Sequence, residues 1–373
     1  MTAQKTLYFP ALDGLRFFAF FLVFIRHVGA PPIPGGNFVW QFAWAGVDLF
    51  FLLTGFLFFV MLHEEQKAYG RIHYRAFYVR RVLRIMPLYF LYVTGAAIGL
   101  AMMGGTDVAA RFAGYATFTL NLLSSFIGGD WRLPLAHHLW TIGYEEQVYL
   151  VLPLIISALL GAKQGRAVAF LLVAVVVGMA LRAAAIKSGI GMENRGPYFV
   201  PFLRPESIIA GLLCGIAWTS GVYRRFSSTT YGLMFLVLVA ALFGLTRLYG
   251  YDAFESNISI SVYPILAAIF LTLTLYSLSP GSLFGRLISH PGRWLSFPWL
   301  GKISYGLYVY HPLSIYLATH WIIRPLDLPR IYGLRFAIAL TITILLATLS
   351  YYLFERWFLL LKKRFTYVEN RQA

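Results

Sequence analysis

Long apolar runs recur along the whole chain, and each is close to the length that crosses a lipid bilayer. A transmembrane helix needs about 20 consecutive, mostly apolar residues. The runs predict ten spans, which are Leu12–Val28, Ala43–Leu62, Pro87–Met103, Leu139–Leu160, Ala167–Ile186, Ser207–Ser220, Tyr231–Leu248, Ile258–Leu278, Ile303–Ile323 and Leu334–Phe354. The predicted fold is therefore all-α, a polytopic membrane helical bundle made by a single domain over residues 1–373.

The composition agrees with a chain whose surface mostly faces lipid. Of the 373 residues, 59% are apolar and only 12% are charged, about half the charged share of a typical soluble domain. The net charge of +16 would suggest nucleic acid in a soluble protein, but cytoplasmic loops of membrane proteins also collect Lys and Arg. We therefore expect the lipid bilayer, and no nucleic acid, as a partner. The oligomeric state stays open.

The basic loops predict the topology. The two strongest, His63–Arg84 and the tail from about Arg356, are expected in the cytoplasm. The segment Phe112–Gly128 is only moderately apolar, and counting it as a span would move Lys163 and every later basic loop to the wrong side. We therefore interpret it as a re-entrant or outer-face segment, with both termini of the protein in the cytoplasm.

Arg16 and His27 are the candidate functional pair of the first predicted helix. Eleven residues make three turns plus 20°, so both side chains lie on one stripe, about 16 Å apart along the axis. Ionisable residues inside a span are costly and indicate function, and His exchanges a proton near neutral pH. In the alternative interpretation, Arg16 extends to the inner interface and His27 ends the helix at the outer one.

Other ionisable residues lie within predicted spans. Glu145 shares a helix face with His138, whereas its neighbour Glu146 points about 100° away. Asp48 and His311 are buried polar groups that need partners, and an interhelical hydrogen bond explains each as well as catalysis does. His138 and the preceding histidine resemble half of a metal site, but the sequence has no companion cluster at ligand spacing. We therefore predict no metal.

Three arginines, Arg80, Arg81 and Arg84, precede the third span. Guanidinium groups bind phosphate through two hydrogen bonds each, so this cluster is a candidate phosphate clamp. The tendency of Arg to gather in cytoplasmic loops is the alternative explanation. Neither of the glycine-rich nucleotide-binding motifs, GxxxxGK[ST] or GxGxxG, accompanies the cluster.

Together these elements resemble the acyltransferase-3 family of membrane acyltransferases, which O-acylates bacterial surface polysaccharides and some macrolide antibiotics. The similar stretches follow the family's order over most of the chain. They are LDGLRFFAFFLVFIRH (Leu12–His27), GVDLFFLLTGF (Gly46–Phe56), RRVLRIMPLYF (Arg80–Phe90), HLWTIGYEEQVYL (His138–Leu150), ISYGLYVYHP (Ile303–Pro312) and FER (Phe354–Arg356).

The resemblance assigns roles to individual residues. Arg16 and His27 match the family's Arg-x10-His pair, and Arg81 and Arg84 match its RxxR element. The residues expected to bind substrate or to serve as structural polar groups are Asp13, Asp48, His138, Trp140, Gln147, Tyr305 and His311. Two departures stand out: Thr54 replaces the usual Ser, and the chain ends soon after its last span. We therefore expect no extracytoplasmic esterase-like domain.

The resemblance implies an enzyme of the bacterial cytoplasmic membrane. Acetyl-CoA or another acyl-CoA would dock from the cytoplasm on the three clustered arginines and pass Arg16. His27 would be a general base or a transient acyl carrier, oriented by Glu145, and the acceptor would be a hydroxyl of a carbohydrate or glycosylated molecule. The alternative is a secondary transporter or flippase that uses its intramembrane Arg, His and Glu residues for gating.

Overall fold

The protein is mainly helical in the part of the chain that the structure describes. The computed structural model describes residues 7–30, 36–127, 129–189, 196–249, 259–290, 296–328 and 331–367. Its α-helices are α1 (Pro10–Val28), α2 (Gly36–Phe42), α3 (Gly46–Tyr69), α4 (Tyr74–Met102), α5 (Val108–Ala116), α6 (Leu120–Leu122), α7 (Trp140–Gly161), α8 (Gln164–Ser188), α9 (Gly196–Phe199), α10 (Glu206–Thr219), α11 (Ser228–Tyr249), α12 (Ser259–Leu278), α13 (Leu283–Ser289), α14 (Phe297–Lys302), α15 (Ser304–Leu317), α16 (Tyr332–Ser350) and α17 (Arg356–Lys362).

Each of the ten predicted spans coincides with a helix, although the predicted first residue of one, Ile258, lies outside the described residues. Within the described ranges, seven helical segments are long and apolar enough to cross a membrane. The other three coincide with α1, which has three charged residues within one membrane length, with α10, which has 14 residues, and with α15 and its continuation to Ile323. The polytopic all-helical bundle is confirmed, and the count of ten stays a prediction.

The segment predicted to be re-entrant is broken into short pieces. It contains α5, α6 and a π-helical turn at Leu123–Ile127, while Gly128 lies outside the described residues. The amide of Gln147 on α7 holds the break, donating to the carbonyl of Phe118 at 2.8 Å and to Asn121 Oδ1 at 2.9 Å. Irregular backbone at membrane depth requires such partners, and we therefore interpret Gln147 as a structural polar residue.

Asp130 fixes the connection that follows this broken segment. Its carboxylate accepts hydrogen bonds from Arg132 Nε at 2.7 Å and from Arg111 Nη1 at 3.1 Å. The hydrogen bond from Arg132 is the main reason why the pKa of Asp130 is lowered to about 2. The carboxylate therefore stays ionised at neutral pH. Its hydrogen bonds with Arg132 and Arg111 weaken only when the pH falls toward 2 and the carboxylate takes up a proton.

Helix α3 lies at the centre of the bundle and packs closely on α10. In its most apolar stretch 83% of the residues are buried, against 17% in α8 and 11% in α11, whose side chains face outward. Gly55 of α3 and Gly211 of α10 meet at the crossing, where a Cβ on either would overlap backbone of the other helix. Small residues allow such close approach between membrane helices.

A buried ion pair also joins α3 to the start of α10. Arg204 donates to one carboxylate oxygen of Asp48, and the hydroxyl of Ser207 donates to the other at 2.7 Å. Asp48 and Arg204 are each about 1% exposed. Because removing one member would leave an uncompensated buried charge, we interpret Asp48 as a structural residue rather than a substrate ligand.

The two described ends of the chain lie at the same end of the bundle. Arg16 of α1 and Arg81 of α4 line one pocket, and the neighbouring Arg80 donates to the carbonyl of Phe365, just beyond α17. We call this the basic end. The predicted even number of membrane spans between the two chain ends agrees with this arrangement. The cytoplasmic position of the basic end stays a prediction. Residues 368–373 of the predicted tail lie outside the described residues.

We expect Ser188, at the end of α8, to face outward and Ala68, near the end of α3, to face the cytoplasm. Both positions are exposed, whereas the single cysteine, Cys214, is buried. In a Cys214→Ala background, a membrane-impermeant maleimide added to intact cells should label the Ser188→Cys variant. The Ala68→Cys variant should react only after permeabilisation. Labelling in the reverse pattern would overturn the predicted orientation.

Candidate functional site

A pocket opens among helices α1, α3, α4, α7 and α15 at the basic end. Its volume is about 90 Å3. Polar and apolar side chains from all five helices line it. They are Arg16, Val47, Phe50, Phe51, Thr54, Arg81, Arg84, Ile85, Thr141, Ile142, Glu145, Tyr149, Ser304, Tyr305 and Tyr308.

Three guanidinium groups meet in this pocket. Arg81 and Arg84 stand one helical turn apart on α4, so they share a face, and Arg16 reaches the same space from α1. Arg16 lies 3.5 Å from the carboxylate of Asp13, whereas Arg81 stacks on the ring of Phe58, 4.5 Å from its centroid. A cluster of guanidinium groups in a pocket is suited to a phosphate-bearing ligand.

Glu145 is the carboxylate in the pocket lining. The hydroxyl of Tyr149, one turn along α7, donates to its Oε2 atom at 2.6 Å. Glu145 thus faces the three arginines at the basic end. The described contacts of His27 involve other residues, and the expected pairing of Glu145 with the imidazole of His27 remains a prediction.

Arg80 lies apart from Arg81 and Arg84. Its side chain points about 100° away from that of Arg81, is 3% exposed, and is not among the residues that line the pocket. Its Nη1 atom donates to the carbonyl of Phe365 at 2.8 Å, and its Nη2 atom lies 3.5 Å from Glu65. The structure therefore gives Arg80 partners of its own, away from the candidate phosphate clamp.

His27 belongs to a second polar group, farther along α1. Its Nδ1 atom donates to the carbonyl of Val23 at 2.8 Å, and since a carbonyl only accepts, the proton of the neutral ring lies on Nδ1. The Nε2 atom then has a lone pair that can take a proton. The residue as a whole is exposed, its hydrogen bond to Val23 is partly buried, and its ring lies 4.7 Å, between centroids, from the ring of His311.

Two buried histidines lie behind His27. The ring of His311 is 4.9 Å from that of His138, and the two residues are 0% and 5% exposed. Each donates from one ring nitrogen to a backbone carbonyl of α15, while His311 Nε2 and His138 Nδ1 have no hydrogen-bond partner within the described protein. A buried acceptor without a partner costs about 1–3 kcal/mol, so this histidine cluster suits a ligand that donates hydrogen bonds.

Tyr308 separates the pocket from the histidine cluster. Its ring lines the pocket and also lies 5.3 Å from the ring of His138 and 5.5 Å from that of His311. Its hydroxyl is held by the carbonyl of His138 and the hydroxyl of Thr141, at 2.9 and 2.8 Å. Tyr308 was not predicted from the sequence, although its spacing from Tyr305 and His311 along one helix face was visible there.

The remaining predicted site residues lie around these two groups. Tyr305 lines the pocket, and its hydroxyl donates to the carbonyl of Ile85 at 2.8 Å. Trp140 is 7% exposed and packs edge-on against Phe199, with the ring centroids 4.6 Å apart. Within the described residues, no group of three or more His, Cys, Asp or Glu side chains is arranged to hold a metal ion.

Comparisons with known proteins agree with the resemblance seen in the sequence. The family model Acyl_transf_3, described as an acyltransferase domain, matches residues 9–353. The "Putative peptidoglycan O-acetyltransferase YrhL" of Bacillus subtilis is 26% identical over 95% of this chain and 55% of its own length. The O-acetyltransferase OatA of Staphylococcus aureus is 23% identical over 93% of this chain and 57% of its own length. This chain thus spans little more than half of these relatives, and no solved structure matched it.

Proposed function

Because the chain belongs to the acyltransferase-3 family of acyltransferase domains, we propose that it is a membrane O-acyltransferase. It moves an acyl group, acetyl in the simplest case, from cytosolic acyl-CoA to a hydroxyl of a sugar-containing acceptor. The main support is the convergence of Arg16, Arg81, Arg84 and Glu145 in one pocket. The protein resides in the bacterial cytoplasmic membrane, with its basic end and both termini in the cytoplasm.

The pocket is the donor site in this proposal. CoA carries its phosphates at one end and its thioester at the far end of a long, slender arm. Arg81 and Arg84 hold the phosphates at the mouth of the pocket, and the arm extends along α1 past Arg16. The levels of Arg16 and His27 are about 16 Å apart along the helix, which suits an elongated donor and not a compact one.

His27 moves the proton. Its Nε2 atom takes the proton of the acceptor hydroxyl as the oxygen attacks the thioester carbon. The tetrahedral intermediate then expels the thiolate, which receives the proton from the imidazolium, so the products are the O-acyl ester and free CoA. An alternative route through acyl-His27 leads to the same products. Tyr308, whose hydroxyl is hydrogen-bonded to Thr141, lines the pocket and contacts the rings of His138 and His311, so in this proposal the thioester passes beside it.

The acceptor approaches from the opposite end of the bundle, where His27 is exposed. His27 is the member of the histidine cluster that the acceptor hydroxyl reaches, because His311 and His138 behind it are 0% and 5% exposed. Relatives whose names refer to peptidoglycan or to O-acetyl transfer support a cell-envelope carbohydrate as the acceptor.

Thiol release from acetyl-CoA tests the proposal. Purified protein should release free CoA faster when soluble peptidoglycan fragments or oligosaccharides are added, and mass spectrometry should detect acetylated acceptor. A transporter or flippase would release no thiol and form no acetyl ester. Absence of thiol release and of acetyl ester with every carbohydrate class tested, in a folded preparation that binds CoA, would count against the enzyme assignment.

A further inference from the structure

The residues after α16 form a wall of the basic end. α17 packs along α4, and the residues that follow it are tied to the loop between α3 and α4. The ring of Tyr367 stacks on His73, with the centroids 3.9 Å apart and the planes at 7°. The hydroxyl of Tyr69 donates to the Tyr367 carbonyl at 3.1 Å. We call residues 356–367 the C-terminal segment.

Glu65 is the centre of this anchor. It is 2% exposed, and its carboxylate accepts hydrogen bonds from the backbone and the Nδ1 atom of His73 at 2.7 and 2.8 Å. The same carboxylate lies 3.5 Å from Arg80, which donates to the carbonyl of Phe365. The hydrogen bond from Arg80 to the carbonyl of Phe365 holds the C-terminal segment against α4. Glu65 keeps Arg80 in place, because a buried charge that loses its partner is costly.

The anchor and the packing of α17 on α4 bring Lys362 to the helix that carries Arg81 and Arg84. Lys362 lies on the last turn of α17, three residues before Phe365, whose carbonyl accepts the hydrogen bond from Arg80 next to Arg81. The charges of Arg84, Arg81 and Arg16 act on its ammonium group. In the part of the chain that the structure describes, neither Lys362, Arg81 nor Arg84 is ion-paired with a carboxylate. Cations brought together at low dielectric repel one another, and a bound polyanion offsets that repulsion.

The carboxylates nearest to this cluster already have hydrogen-bond donors. Glu145 accepts from Tyr149 at 2.6 Å, and Glu355 accepts from Ser350 at 2.9 Å. Asp13 is the acid next to Arg16, at 3.5 Å. Glu145 lines the same pocket as Arg81 and Arg84, but among the described residues no carboxylate lies within ion-pair distance of Arg81, Arg84 or Lys362, so these cations are available to a ligand.

We infer that Lys362 is a donor-binding residue, which contacts a phosphate of CoA together with Arg81 and Arg84. Glu65 and Arg80 are positioning residues, which hold the C-terminal segment so that Lys362 reaches the ligand. The donor site is then incomplete without this segment. The inference rests on the proposed function, because it takes phosphorylated CoA as the donor.

The Lys362→Met variant tests this inference, since Met keeps the length of the side chain and removes its charge. Isothermal titration of the purified full chain should give a Kd for CoA about tenfold weaker than wild type, as expected when one charge-assisted contact is lost. The Lys363→Met variant, changed at an exposed neighbour on the same segment, should bind CoA like wild type. Lys362→Arg should recover most of the affinity.

Pantetheine, which has the arm of CoA but no phosphate, distinguishes a phosphate contact from a change of fold. Its inhibition constant, measured from the acetylated acceptor because pantetheine itself carries a free thiol, should be the same in wild type and Lys362→Met. Equal CoA affinity in wild type and Lys362→Met would overturn the role of Lys362, and an equal loss for pantetheine would show a structural effect instead. Failure of the wild-type protein to bind CoA at all would instead remove the proposed donor.

Discussion

Replacement of His27 by Gln should reduce the rate of acyl transfer about 10²- to 10⁴-fold, the contribution expected of a general base. Gln keeps a polar side chain of similar length but cannot take and return a proton. The loss should appear in kcat, measured as thiol release from acetyl-CoA at saturating acceptor. The Kd for CoA should stay near the wild-type value, because Arg81 and Arg84 lie at the other end of the path.

His320 provides the matched control for this experiment. It is a half-buried histidine on the turn that continues α15, where it stacks on Tyr316 with the centroids 4.4 Å apart. The His320→Gln variant should keep wild-type turnover. Near-normal turnover of folded His27→Gln protein would refute the assignment of the base, and His311 or Glu145 would become the next residue to test.

Replacement of Arg81 or Arg84 by Ala should weaken CoA binding about 10- to 150-fold, since a charge-assisted phosphate contact contributes roughly 1.5–3 kcal/mol. The KM for the acceptor should change little, because the acceptor is proposed to bind near the histidine cluster. Lys at either position should restore only part of the affinity, since an ammonium group cannot form the two parallel hydrogen bonds of a guanidinium. Titration with CoA measures these differences.

The Arg75→Ala variant separates phosphate binding from the general effect of positive charge on membrane topology. Arg75 is exposed at the start of the same helix and does not line the pocket. Its removal lowers the charge of the loop by the same amount, yet CoA affinity should be unchanged. If all three variants bound CoA like wild type, the arginines of α4 would be topology signals only.

The sequence predicted the helices well because hydropathy is a local property. Each apolar run of membrane length became a helix, and the described part of the weakly apolar stretch, residues 112–127, became the broken segment. The start of α4 was the largest boundary error. This helix begins at Tyr74 rather than near Pro87, because Arg and Leu favour helix outside the apolar core as well. That extension places Arg81 and Arg84 on one helix face.

Candidate residues could also be found from the sequence, because a charge or an imidazole inside an apolar run is conspicuous. The residues with which they interact could not be found in this way. Glu145, Arg81 and Arg16 come from three different helices, and only helix packing brings them to one pocket. Asp48 looked as suitable for catalysis as His311 did, until packing placed Asp48 against Arg204 and His311 beside His27.

The sequence by itself determined which segments are helical and which of these helices carry polar groups. Both properties depend on the order of apolar and polar residues over a few turns of the chain. The tertiary structure decided the role of each polar group. Arg80 and Arg81 are chemically identical neighbours, but a rotation of 100° directs one to Glu65 and the other into the pocket. Long-range packing sets that direction, since it depends on which helix lies opposite each face.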